Sequence, residues 1–210
     1  MGFKYSCFIS YSSGQKELIQ KFIYQIEESL NAEIELYMKD YPVFLDRERL
    51  QIGDNFNESI AISLCQSICM VAVLTPAYYS NPYCLREYTA MENLEKERFE
   101  KMQWSQSPEM GLIFPIVFRN SDRMPDIIKE STQWVDFSKY TLSQPELLKD
   151  TTFNETIQKI AQRIFDYFEN FNELEINLCK ECESFKLPSQ DKIPELLKKF
   201  KPKPKPFPFR

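Results

Sequence analysis

Apolar residues along this chain alternate between two periods, one suited to strands and one to helices. Residues 5–11, Tyr-Ser-Cys-Phe-Ile-Ser-Tyr, form a short run of strand character, with Ser12, Ser13 and Gly14 as its exit loop. Leu18, Ile19, Phe22, Ile23, Ile26 and Leu30 then recur at helical spacing and predict a helix over 15–31. A second short strand is expected at 43–45, entered by Pro42, and a helix over 56–66 that carries Ile60, Ile62 and Leu64. Residues 68–74, Ile-Cys-Met-Val-Ala-Val-Leu, are continuously apolar, as a central parallel strand covered on both faces requires. Pro76 ends that run.

Asn81 has the character of an N-cap with Pro82 at the first helical position, so a helix is expected from there to about Met102, highly charged after Glu92. A fourth strand is expected at 112–118 despite Pro115, and a fifth, short and alternating, at 133–137. A closing amphipathic helix over 153–171 carries Ile157, Ile160, Ile164, Phe165 and Phe168. Five strands alternating with helices imply an α/β fold, a parallel sheet with right-handed crossovers and helices on both faces. In such a sheet the loop after the second strand and the start of the helix at 82 share the carboxyl edge, where open α/β folds bind ligands.

The end of the chain reads differently. From Lys186 basic residues outnumber acidic ones, and residues 201–210 alternate lysine or phenylalanine with proline, which favours an extended, solvated conformation. The expected organisation is one domain over 1–175 and a C-terminal extension over 176–210 with a disordered Lys/Pro-rich tail.

Composition narrows the function classes. An apolar fraction of 43% and an aromatic fraction of 14% suit a globular domain. Lysine and arginine number 26 against 31 acidic residues, a net charge of −5, which gives no electrostatic footprint for duplex nucleic acid. The longest mostly apolar run, 68–79, is too short for a membrane span, and the first residues lack the pattern of a signal peptide. Gly2 with Ser6 fits a myristoylation pattern superficially, but residues 3–7 read better as the start of the first strand. No nucleic-acid or membrane partner is expected, and the expected location is cytoplasmic.

Six cysteines occur, at 7, 65, 69, 84, 179 and 182, and reduced thiols are the expected state. Cys179 and Cys182 form a lone CxxC, which lacks the second pair a zinc ribbon needs. Histidine is absent altogether. That excludes Ser-His-Asp and Cys-His catalysis and His-ligated zinc, and leaves carboxylates, hydroxyls, thiols and amines for any chemistry.

Three ordered boxes carry a family resemblance. The first is Phe8, Ile9, Ser10 and Tyr11. The second is F-x-D-x-x-x-L-x-x-G, met by Phe44, Asp46, Leu50 and Gly53. The third is a strand, then Tyr78 and Ser80, then Tyr83, Cys84, Leu85, Arg86 and Glu87, which fits [WY]-C-x-x-E. With the matching element pattern between them, over roughly residues 4–170, the chain resembles a Toll/interleukin-1 receptor (TIR) domain. The resemblance implies a flavodoxin-like three-layer fold with a five-stranded parallel sheet.

The layout is most similar to the catalytically active members of that family, which cleave NAD+ between nicotinamide and ribose. By that resemblance Glu87 is the catalytic residue, NAD+ is the substrate, and no cofactor is needed. The chemistry needs no histidine: nicotinamide leaves from a cationic pyridinium, and a fixed carboxylate stabilises the oxocarbenium-like ribosyl cation, as in glycosidases. Water capture gives ADP-ribose, and capture by adenine or another nucleophile gives a cyclic or base-exchanged product.

Substrate contacts are implied at Ser12, Ser13, Phe44, Asp46, Leu50, Gln51, Phe56 and Tyr83. Tyr83 stands where active relatives often carry tryptophan, and Ser12 and Ser13 stand where some place arginines, so phosphate or ribose contacts must be made differently here. Asp46, Leu50, Gln51 and Phe56 belong to the loop that in the family flanks the cleft and mediates assembly. Asp46 serves equally well as a loop cap, Tyr83 as ordinary packing, and Glu87, on spacing alone, as a solvated glutamate on an amphipathic helix outside its apolar stripe.

Ser6 replaces the aspartate of many relatives, and the Pro-Gly of animal adaptors is absent after Asp46. The leading expectation is an NAD+ glycohydrolase or ADP-ribosyl cyclase in bacterial antiviral defence. Its expected partners are further TIR domains, an upstream trigger protein and a downstream sensor of the product. The alternative is a non-enzymatic TIR scaffold, adaptor or mimic of host receptor domains. A receiver domain is discarded, because the positions of its acidic cluster and phosphoacceptor read Ser10-Tyr11-Ser12 and Leu74-Thr75-Pro76.

Overall fold

A computed structural model of the chain describes residues 2–12, 17–45, 56–102, 111–141, 147–173, 177–202 and 204. Five strands, β1 (Tyr5–Tyr11), β2 (Phe44–Leu45), β3 (Ser67–Leu74), β4 (Ile113–Val117) and β5 (Val135–Asp136), form one all-parallel sheet in the order β2-β1-β3-β4-β5. The register sets Phe8 beside Phe44 and Met70, and Val71 beside Phe114. The expected α/β fold is therefore the observed one. β3, buried at every position, is the central strand that its unbroken apolar run implies. Pro115 sits within β4 opposite Ala72 without interrupting the pairing.

The helices are α1 (Glu17–Glu35), α2 (Phe56–Cys65), α3 (Pro82–Lys101), α4 (Asp126–Ser131), α5 (Thr151–Glu173) and α6 (Ile193–Lys199). α1 and α5 pack together, whereas α2 and α3 contact each other and α6 lies against α3. Phe22, Ile23, Ile26 and Leu30 of α1 are buried as their spacing predicts, whereas Leu18 is 48% exposed. α4 and α6 are too short to leave a periodic signature in the sequence. No helix among the described residues is long and apolar enough to cross a membrane, and no group of three or more metal-ligating side chains occurs among them.

Two expectations need correction. The first is the reduced state of all cysteines: Cys65, at the end of α2, is bonded to Cys182, while Cys7, Cys69, Cys84 and Cys179 are free and buried. Residues 117 apart in sequence are brought together only by the return of the chain after α5, so no local pattern signals the pair.

The second concerns the segment after Lys186, whose sequence offers no long periodic apolar face. Leu187, Leu196 and Phe200 are buried, and the Phe200 ring meets Tyr88 of α3 edge-on at 5.3 Å. Lys199 pairs with Glu92 at 2.6 Å, and Arg86 Nε donates to the Pro188 carbonyl. The N-terminus joins the same assembly, since a Cβ on Gly2 would lie 2.6 Å from the Cys179 Cβ. Leu187, Leu196 and Phe200 are too widely spaced to form a helical stripe, which is why periodicity missed them. Of the Lys/Pro-rich end beyond Phe200, only Lys201, Pro202 and Pro204 are described.

Candidate active site

Strand order reverses between β1 and β3: the chain leaves β1 for β2 on one side and returns to place β3 on the other. Connections diverge there, so a crevice opens at the carboxyl ends of the two strands. Into it runs the start of α3, fixed by local chemistry. The Asn81 side chain accepts the Tyr83 N–H at 3.0 Å, and Pro82 occupies the first turn, where its missing N–H costs nothing.

Successive turns of α3 are tied to successive residues of β1. Asn81 Nδ2 donates to Ser12 Oγ at 3.3 Å, the Cys84 thiol to the Tyr11 carbonyl at 3.3 Å, and Ser10 Oγ to Glu87 Oε2 at 2.6 Å. Three helix residues rise about 4.5 Å and one strand residue about 3.3 Å, so the two elements stay within reach over three rungs. The innermost rung holds the carboxylate. Glu87 is only 2% exposed, so the expectation of a glutamate outside the buried face of the helix is corrected: α3 is buried at Cys84, Leu85, Arg86, Glu87 and Tyr88 in succession. Strand, crevice and overlying extension enclose the helix on more than one side.

Tyr78, in the short 3-10 turn between β3 and α3, completes the arrangement. Its hydroxyl lies 2.9 Å from Ser10 Oγ and 3.4 Å from the Cys84 carbonyl. Ser10 has one hydroxyl proton, and it points to the carboxylate; the shorter bond to Ser10 is therefore made with the Tyr78 proton. The result is a directed chain, Tyr78 to Ser10 to Glu87, ending on an acceptor. Burial, reinforced by Cys84 and Glu87 nearby, pushes the Tyr78 phenol well above its ordinary range, so the phenol keeps its proton at any physiological pH.

The structure brings together some of the other expected site residues. Tyr83 precedes Glu87 by four residues on α3, on the same side of the helix, and is 48% exposed, with the Arg86 guanidinium 6.0 Å from its ring centroid. Ser12 is buried just after β1 and accepts the Asn81 side-chain N–H. Phe44 is placed differently. It packs on Phe8 and Tyr5, with ring centroids at 5.2 and 4.9 Å, and its register partner Phe8 lies two residues before Ser10. Ser13, Asp46, Leu50 and Gln51 lie outside the described residues, and of Phe56 only its position at the start of α2 is described.

Ser10 and Tyr78 were not among the expected site residues. Both stand inside the motif boxes, but only the packing of α3 against β1 reveals what they touch. A buried carboxyl group held by a side-chain hydroxyl at the carboxyl edge of the sheet has the chemistry to meet developing positive charge or to accept hydrogen bonds from ligand hydroxyls.

No curated protein matches. Among solved structures, the chain is similar to the TIR domains in the structure of the activated Roq1 resistosome directly recognizing the pathogen effector XopQ, at 19% identity and a TM-score of 0.39, over 74% of this chain and 82% of that one. A family model described as TIR domain matches residues 7–149, more than half of the 210 residues, and the chain accordingly belongs to the TIR domain family.

Proposed function

We propose that this chain hydrolyses or cyclises NAD+ by breaking the bond between nicotinamide and ribose, with Glu87 as the catalytic carboxylate. The observation that carries the reading is the buried Glu87 side chain, fixed by Ser10 at 2.6 Å in the crevice at the strand-order reversal. TIR domains include NAD+-cleaving enzymes, and Glu87 occupies the position of their catalytic glutamate.

As the glycosidic bond lengthens, its electrons pass to the pyridinium nitrogen and nicotinamide departs neutral. Positive charge collects on the ribose C1′ and ring oxygen, where the Glu87 carboxylate stabilises it. Water then adds to C1′ and loses a proton, so NAD+ and water give ADP-ribose, nicotinamide and a proton. Capture by an adenine nitrogen gives the cyclic product instead. Ser10 and Tyr78 hold the carboxylate, and Tyr83 and Ser12 would contact the nicotinamide or ribose. The reading extends to self-association through contacts between TIR domains of separate copies, and to a role as a defence effector or signal producer.

Chromatographic detection of nicotinamide from purified protein and NAD+ tests it. Release by the wild type and not by Glu87→Gln supports the proposal; no release over a wide range of protein concentration overturns it. A scaffold reading has one observation on its side, since a buried glutamate bonded to Ser10 also serves as a structural tie between α3 and β1. Under that reading Glu87→Gln changes stability and self-association, and NAD+ is untouched by either protein.

A further inference from the structure

A cavity of about 390 Å³ lies where the chain returns after α5 to the far end of α2 and α3, well away from the crevice. Both halves of the disulfide line it, Cys65 from α2 and Cys182 from the extension, together with Lys101, Lys180 and Lys186. Lys101 is paired with Glu97, whereas among the described residues no carboxylate pairs with Lys180 or Lys186. The disulfide is thus reached from a pocket whose lining sets two lysines, Lys180 and Lys186, against one carboxylate, Glu181, besides the Lys101–Glu97 pair, a net positive balance. It is also the covalent fastening of a strap. Beyond Cys182 the chain crosses α3, where it is held by the Arg86 bond to Pro188, the Lys199–Glu92 pair and the Phe200 ring on Tyr88. Arg86 and Tyr88 flank Glu87 in sequence.

We propose that Cys65–Cys182 is a thiol–disulfide exchange site for a small anionic thiol, and that its reduction loosens residues 183–200 from α3. The inference does not depend on the NAD+ reading. The thiolate attacks one sulfur of the pair, and the S–S electrons leave with the other as a cysteine thiolate. A second thiol then attacks the mixed disulfide. In sum, two small thiols become one small disulfide, and Cys65 and Cys182 each gain one electron and one proton. Lys180 and Lys186 attract the carboxylates of the incoming thiol, and the cavity provides the access that the burial of both cysteines otherwise denies. Without the crosslink, the strap is held by the carbonyl, ion-pair and ring contacts named above and by the burial of Leu187, Leu196 and Phe200, a set that can open locally while the sheet stays folded.

The test uses the full chain, oxidised with diamide, with reduced glutathione as the anionic probe and cysteamine as the cationic one at equal thiolate concentration. Alkylation and intact-mass analysis read opening at Cys65 and Cys182, and hydrogen exchange reads the strap. Glutathione is expected to open the bond several-fold faster than cysteamine, and Lys180→Glu with Lys186→Glu to abolish that preference. Exchange should rise across 183–200 on reduction while β1 and β3 remain protected. Cys182→Ser should show the reduced pattern without any thiol, and if that variant does not fold, the reduced wild type supplies the same comparison. Failure to form the bond, equal rates for the two probes, or unchanged exchange on reduction each overturn the proposal.

Discussion

α3 buries three ionisable side chains, Arg86, Glu87 and Arg98, and the two most deeply buried are held in opposite ways. Glu87 and Arg98 are each 2% exposed and lie eleven residues apart on one helix. Arg98 donates to three main-chain carbonyls, those of Cys65, Ser67 and Ile68, at 2.7–3.0 Å, and its guanidinium stands 4.9 Å from the Phe3 ring. Those acceptors belong to the turn from α2 into β3 and cannot move without unravelling it. Glu87 accepts from a side-chain hydroxyl, that of Ser10, which rotates about a single bond without disturbing the main chain. A buried charge clamped to backbone fixes the fold at the amino end of the sheet. One held by a rotatable hydroxyl at the carboxyl end is poised to change partners.

Substitution should separate the two roles. The largest effect is expected from Glu87→Gln, which keeps the shape but removes the charge. Nicotinamide release should fall by roughly a thousandfold, with melting within a few degrees of wild type. A variant that keeps most of its turnover would remove Glu87 from the chemistry. Glu87→Ala should add a stability loss of about 1–3 kcal/mol, because the Ser10 hydroxyl is left buried without its acceptor.

Arg98→Met should invert that pattern. Three carbonyls lose their donors, so denaturant unfolding should show a loss of about 3 kcal/mol or more, while turnover per folded molecule stays near wild type. Equal losses of turnover and stability in both variants would erase the contrast.

Ser10→Ala sharpens it at smaller scale. Removing the hydroxyl that orients Glu87 should lower kcat about tenfold with little change in KM and cost about 1 kcal/mol of stability. Tyr78→Phe, one step further from the carboxylate, should cost less in kcat, and its pH–rate profile should keep its shape because the phenol does not titrate in the working range.

The smallest effect concerns Glu95, between the other two on α3. Burial raises its carboxyl above the ordinary value of 4.5, against the opposing Leu112 N–H. Between the ordinary and the raised value the folded state binds more protons than the unfolded one, so stability falls as pH rises through that window. Glu95→Gln should therefore gain stability relative to wild type as pH rises from just below 4.5, and the difference should level off above the raised value. A difference that is flat with pH would mean that the carboxyl is not desolvated.

What was legible in the sequence follows from how local each signal is. The unbroken run of β3, the Asn81–Pro82 cap and the stripe of α5 report interactions within a few residues, and these elements stand where they were expected, with ends shifted by a residue or two. Glu87 was legible as a motif position but not as a buried group, since one helix offers no sign of how many sides will be covered. Arg98 gave no signal, because its partners are carbonyls that every residue possesses.

The sequence by itself determined the alternation of elements, and with it the parallel sheet and the edge at which a site would form, because periodicity and capping act over single turns and strands. Tertiary structure alone decided the partners. Ser10 meets Glu87 across 77 residues, Arg98 meets Cys65 across 33, and Cys65 meets Cys182 across 117. Such contacts depend on helix placement to within an ångström, which no local pattern encodes. The same separation explains why Phe200, beside a tail with the composition of a solvated segment, is buried on α3: burial depends on the surface a residue is brought to, and that surface is assembled from α3 and the chain that returns to cover it.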